Sequence, residues 1–204
     1  MTGSGGRSRT AILQNIAEVF RQYGYEGASL SRFTAATGLG KGSLYNFFPE
    51  GKKQMAAEVL EHIQRWFDAE IFSPLETEED PKVGLTAMFE GTEQYFRSGQ
   101  RICLMGLLAL SVDTAFAVQI RNYFLRWQES LSQALQRQGR SKSDAVDLAE
   151  EIVSGIQGAL VLAHARGEAD VFKRRLELFK LRLDLPAGHY DERQLEIPDC
   201  LRGR

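Results

Sequence analysis

Residues 28–48 constrain this chain more than any other stretch. They run Ala-Ser-Leu-Ser-Arg-Phe-Thr-Ala-Ala-Thr-Gly-Leu-Gly-Lys-Gly-Ser-Leu-Tyr-Asn-Phe-Phe, and Pro49 follows. Ser29 suits a helix N-cap, because its side chain can take up a free backbone N–H. Gly38-Leu39-Gly40 has the backbone freedom for a tight turn, with Leu39 as the plug between the flanking helices. A helix opening at Lys41 must stop near Phe47, since Pro49 has no N–H and crowds the preceding turn. Two short helices joined by a glycine turn, the second opening on small and basic residues, make a helix-turn-helix. That geometry seats one helix end in the major groove of DNA.

The rest of the chain keeps helical spacing, with no β-run, repeat or low-complexity tract. A first helix is expected over residues 9–23, with Leu13, Ile16, Ala17 and Phe20 on one apolar stripe. The second and third cover 29–38 and 41–47. A fourth runs over 51–72 with Met55, Val59, Ile63 and Phe67 inward, and an acidic, proline-flanked loop over Ser73–Pro81 follows. A fifth is expected over 81–97, an almost wholly apolar sixth over 102–112 and a seventh over 114–138. The eighth spans 143–166 with Ser143 as its cap, and the ninth spans 169–185 and is stopped by Pro186. The fold class is all-α, with about nine helices: a three-helix helix-turn-helix head over residues 1–50 on a helical body over 51–204.

Charge divides near the same place. Residues 1–55 carry seven basic against three acidic residues, and the remainder 18 basic against 24 acidic. A basic head on an acidic body suits a phosphate-rich partner at one end only. Cys103 and Cys200 make neither a disulfide framework nor a zinc site, and His62, His164 and His189 have no partner at metal-ligand spacing. No metal or cofactor is implied. The start lacks the apolar core of a signal peptide and no apolar run is long enough to span a bilayer, so a cytoplasmic location is expected. With no nucleophile elbow, zinc-helix motif or nucleotide loop, the chain reads as something other than an enzyme.

The pattern Phe-x-x-x-Gly-Tyr-Glu-Gly-Ala-Ser-Leu-Ser-Arg-Phe-Thr-Ala-Ala-Thr-Gly-Leu-Gly-Lys-Gly-Ser-Leu-Tyr-x-x-Phe, from Phe20 to Phe48, resembles the DNA-binding signature of the TetR family of transcriptional regulators. The chain departs from it at Asn46, where a His or second aromatic is usual. It also lengthens the junction to Phe48-Pro49-Glu50-Gly51-Lys52, read as the mark of a subgroup with an extra glycine before the fourth helix. The resemblance implies a ligand-responsive repressor that leaves a palindromic operator when a small hydrophobic effector binds. Ser29, Lys41, Gly42, Ser43, Tyr45, Asn46 and Lys52 are the expected DNA contacts. Ser29 offers a hydroxyl and nearby N–H groups to a phosphate, and the small residues after Lys41 let the backbone approach the bases. Tyr45 matches the family's phosphate-bonding tyrosine, Asn46 suits an adenine edge or the DNA backbone, and Lys52, or Lys53 beside it, suits a phosphate. Arg7 and Arg9 are expected as an arm along the minor groove.

Two such heads must act together to read a palindrome, which calls for a homodimer. The resemblance implies that the eighth and ninth helices pair with their copies in a four-helix bundle. Gly155 and Gly158 share a face and permit a close crossing, while Val161, Leu162, Phe172, Leu176 and Phe179 are candidates for the seam. Some of these must serve the protomer's own core instead. The resemblance also implies an effector chamber in the body, with Phe67, Met88, Phe89, Cys103, Trp127, Gln157 and Leu160 as candidate lining, against the plainer reading that an apolar stripe is core. Gln157 is polar amid apolar neighbours and needs a partner. Cys103, after Arg101 at the start of the apolar sixth helix, raises an alternative: a repressor that senses oxidants or electrophiles through its thiol. The plainer reading there is a small buried core residue. A last alternative is a helical interaction module that binds no DNA.

Overall fold

The computed structural model describes residues 8–110 and 114–185, and every regular element among them is helical. In chain order these are α1 (Arg9–Gly27), α2 (Leu30–Thr37), α3 (Lys41–Phe47), α4 (Lys52–Phe67), α5 (Ser73–Thr77), α6 (Pro81–Tyr95), α7 (Leu104–Ala109), α8 (Ala117–Arg137), α9 (Lys142–Arg166) and α10 (Asp170–Arg182). A π-helical stretch, Asp68–Phe72, joins α4 to α5 without a break. One rod therefore runs through 52–77, and the Ser73–Pro81 loop expected from the sequence is mostly helix. The reason is burial: Ile71, Phe72 and Leu75 extend the apolar face of α4 into the core and are fully covered. Pro74 is tolerated because it falls at the opening of α5.

Side chains on the chain itself fix several helix starts. Ser8 Oγ accepts from Ala11 N at 3.2 Å, Asp80 Oδ1 from Lys82 N at 2.9 Å, and Ser141 Oγ from Asp144 N at 3.1 Å. Ser141 thus caps α9, in place of the Ser143 expected from the sequence. Other bounds shift by a few residues. Helix α7 is shorter than 102–112: its cap is Cys103, and Leu110 beyond its end is exposed. Arg7, Cys200, His189 and the end of the expected sixth helix lie outside the described residues.

Helices α1 to α3 wrap a core of Ile12, Ile16, Phe20, Phe33, Leu44 and Phe48, closed from below by Met55 and Val59 of α4. Phe20 and Phe33 meet edge to face at 5.3 Å. Arg9 is no free arm: its guanidinium grips Glu58 of α4 at 2.7 and 3.0 Å and lies 5.1 Å over the Phe48 ring. In the body, Phe67 is an aromatic hub, with the rings of Trp66, Phe72, Tyr95, Phe96, Tyr123 and Trp127 centred 4.9 to 6.3 Å from its own. Helices α8, α9 and α10 pack in sequence along the outer side. Arg21 of α1 ties head to body, donating to Ile102 O at 3.2 Å and to Tyr95 Oη at 3.1 Å.

Candidate nucleic-acid interface

The turn between α2 and α3 is built from local chemistry. Gly38 ends α2 at φ 64°, ψ 18°, left-handed backbone that a side chain disfavours. Buried Thr37 braces it, donating to Phe33 O at 2.6 Å and accepting from Leu39 N at 3.3 Å. Leu39 packs half-buried against the core. Leu44 then points inward with no exposed surface, which turns Lys41, Gly42, Ser43, Tyr45 and Asn46 outward. Tyr45 is 52% exposed, a large share for an aromatic ring. Ser29 is the N-cap of α2 by position, yet its hydroxyl caps nothing and instead meets Ser31 Oγ at 2.9 Å. Ser29 and Ser31 are both exposed. Six of the seven expected contact residues are therefore exposed.

Lys52 is the exception. Its ammonium donates to Tyr25 O at 3.0 Å and sits 4.5 Å over the Tyr25 ring, so it is engaged inside the head. Lys53 beside it is exposed. Gly51, at φ 70° and ψ −140°, makes the reversal that brings the two lysines here, which accounts physically for a glycine in this junction. The other head cations are also occupied. Arg9 is held by Glu58, Arg21 lies in the head–body seam, and Arg32 bonds Gly27 O and stacks 3.8 Å over Tyr23. Lys41 and Lys53 alone among the described head cations have neither an ion pair nor an internal hydrogen bond. The sequence's basic surplus thus narrows to two cations on the outward face.

The seven candidate effector residues are spread through the body core. Phe67 and Trp127 meet at 5.3 Å, and Cys103 contacts the Gln157 side chain, while Met88, Phe89 and Leu160 are buried in the same apolar cluster. Tyr123, which the sequence reading missed, sits between them, 6.0 Å from the Trp127 ring and fully buried. Tyr123 Oη, Trp127 Nε1 and Gln157 Nε2 are buried with no hydrogen-bond partner among the described residues. Unpaired donors in a core are costly and uncommon. Cys103 Sγ accepts from Gly106 N at 3.3 Å, but burial outweighs this and pushes the thiol pKa up. That works against a reactive thiolate.

On the outer helices, Phe172, Leu176 and Phe179 turn into the protomer's own core, a correction to their expected place in a seam between copies. Gly155 is used internally as well: a Cβ there would lie 2.6 Å from Phe179 Cζ. Gly158, Val161 and Leu162 of α9 stay exposed, joined by Leu178 and Leu181 of α10, which the sequence reading missed. Period alone could not find these two, because α10 is apolar on more than one side.

Comparison with known proteins places these features. Residues 12–59 match the model for bacterial regulatory proteins of the tetR family, and residues 81–176 match the model for the C-terminal domain of LmrA/YxaF-like transcriptional regulators. The chain is 26% identical over 165 residues to the uncharacterized HTH-type transcriptional regulator YxaF of Bacillus subtilis, covering 78% of this chain and 86% of that one. Its fold is similar to the crystal structure of a TetR transcriptional regulator from Legionella pneumophila, with a TM-score of 0.74 at 19% identity over 88% of this chain and 99% of that one. It is also similar to a cysteine mutant of the regulator CifR complexed with 26-bp double-strand operator DNA, with a TM-score of 0.67 at 24% identity over 89% and 98% of the two chains. No helix among the described residues is long and apolar enough to cross a membrane.

Proposed function

We propose that this chain is a transcriptional regulator of the TetR family and not an enzyme, a repressor that uses its exposed α3 face to cover a palindromic operator as a homodimer. The observation that carries the reading is the outward set Lys41, Gly42, Ser43, Tyr45 and Asn46 around an inward Leu44, with Lys53 alongside. Small residues bring the α3 backbone to the base edges while Lys41 reaches a guanine edge or a phosphate. Tyr45, Ser29 and Lys53 fix the head on the phosphates, and Lys52 steadies Tyr25 behind them. Operator binding by the similarly folded CifR supports this use of the face. Gly158, Val161, Leu162, Leu178 and Leu181 form the self-complementary surface that joins two copies.

The effector enters the body core, where Tyr123 Oη, Trp127 Nε1 and Gln157 Nε2 await acceptors. Its binding shifts the rod through 52–77 and with it the heads, a coupling of about 1–3 kcal/mol. The decisive experiment selects bound fragments from the source genome and titrates them against salt. With two outward cations per head, the slope of log K against log salt is expected near about −4 for a dimer. A flat salt response, or a monomer in solution, overturns the reading.

The thiol-sensing alternative gains nothing from a buried Cys103 with a raised pKa. Cys103→Ser is expected to hold operator affinity within about twofold, because its oxygen can still accept from Gly106 N. Fluorescence anisotropy measures this, and release by an electrophile in the native chain but not in the variant would restore the alternative.

A further inference from the structure

Where the head meets the body, a cavity of about 360 Å³ opens between α1, α4 and the end of α6. Its walls carry more positive charge than they can neutralise. Arg21, Arg97 and Arg101 face it, and the one carboxylate among its lining residues is Glu18. Glu18 Oε1 already serves two of them, at 3.0 Å from Arg21 Nη1 and 3.5 Å from Arg101 Nε. The second contact is too poorly aligned for a hydrogen bond, so the buried Arg101 Nε has no acceptor among the described residues. The neighbouring Glu93 is engaged by the Ser98 hydroxyl at 3.3 Å. Burial first, then Arg21 and Arg97, depress the Arg101 pKa, and Glu18 and Tyr95 offset only part of this.

The backbone is strained at the same place. Arg97 and Ser98 are successive non-glycine residues at φ 49° and 52°. Such residues persist only where packing enforces them, and they concentrate at binding sites. Here Gly99 supplies the packing, set so close to Phe172 and Ala169 that a Cβ on it would lie 2.7 and 2.8 Å from their atoms. The result is Arg97 on the cavity rim, exposed and without an ion pair among the described residues. Ile63 and Trp66 of α4 add apolar and aromatic lining, with the Tyr95 ring 4.7 Å from that of Trp66.

We propose that this seam cavity is a binding site for a small aromatic carboxylate, its anion held by Arg97 and Arg101 and its ring laid against Trp66. Guanidinium groups pair with carboxylates through aligned donors, and the site brings two of them to one mouth. The occupant touches the head through α1 and the body through the end of α6, so it ties the two together. It is separate from the effector site proposed around Trp127 and does not depend on the DNA-binding reading.

The test is calorimetry on the full chain without DNA, with 1-naphthoate as probe and 1-naphthamide as its neutral counterpart. One saturable naphthoate site per chain is expected, with Kd about 1 mM or tighter. Arg97→Gln and Arg101→Gln should each weaken it about tenfold or more, and the amide should bind at least tenfold more weakly. The exposed Arg97 side chain has no hydrogen bond or ion pair among the described residues, so its variant remains readable if Arg101→Gln unfolds. Three results overturn the proposal: no saturable binding of naphthoate or of the smaller benzoate, equal binding of the amide, or unchanged affinity in Arg97→Gln. The last would put the ligand in the body core instead.

Discussion

Phe67→Ala is expected to destabilise the chain by about 3–5 kcal/mol, measured as a shift in denaturant midpoint at unchanged slope. Phe67 has no exposed surface, and six aromatic rings from α4, the π-helical stretch, α6, its C-terminal cap Phe96 and α8 surround it. Removing its ring takes away transfer energy, the edge-to-face contacts with Tyr95, Tyr123 and Trp127, and the filling of a space that rigid neighbours cannot close. For a chain of 204 residues the loss corresponds to a fall in Tm of roughly 10 °C or more. A loss below about 1 kcal/mol would show that the surrounding rings collapse into the space, and that the hub is less constrained than its packing indicates.

The second large effect belongs to the head. Lys41→Ala with Tyr45→Ala is expected to weaken operator binding about a thousand-fold while leaving the fold intact. Both side chains are exposed and neither has an ion pair among the described residues, so stability should move by less than about 1 kcal/mol. Each lost contact costs about 1 kcal/mol, and a two-fold dimer loses four, which is close to three factors of ten. The salt slope should also fall by about 2, one for each Lys41. Lys52→Ala reads differently: by freeing Tyr25 it disturbs the head's packing before it changes any phosphate contact. A double variant that binds its operator as the native chain does would remove α3 from the interface.

Much of the head was legible because its rules are local. The bounds of the helix over 41–47, the turn at Gly38 and the burial of Phe33, Leu44 and Phe48 follow from caps, glycine and proline within a few residues. What could not be read was how long side chains are spent. Lys52 and Arg9 both looked available for DNA, and they are held by Tyr25 and Glu58, partners brought by folding. The body hides more. Period shows that Phe172, Leu176 and Phe179 are apolar, but not whether their neighbour is α9 or a second copy. The prolines and acidic residues of 73–81 mark a loop in the sequence, but the burial of Leu75 keeps 73–77 helical, with Pro74 at a position a helix start tolerates. The arginine-lined seam was invisible, since Glu18, Arg21, Arg97 and Arg101 meet only in three dimensions.

The π-helical stretch Asp68–Phe72 has a geometric consequence for the rod that contains it. Each of its backbone bonds spans five residues rather than four, so side chains beyond it are indexed to a different angle from those before it. The leading half meshes with α1, and the trailing half with α6 and α8. An uninterrupted α-helix would lock both halves to one phase. This rod meets its two sets of neighbours at two angular settings, and the stretch is where one setting gives way to the other.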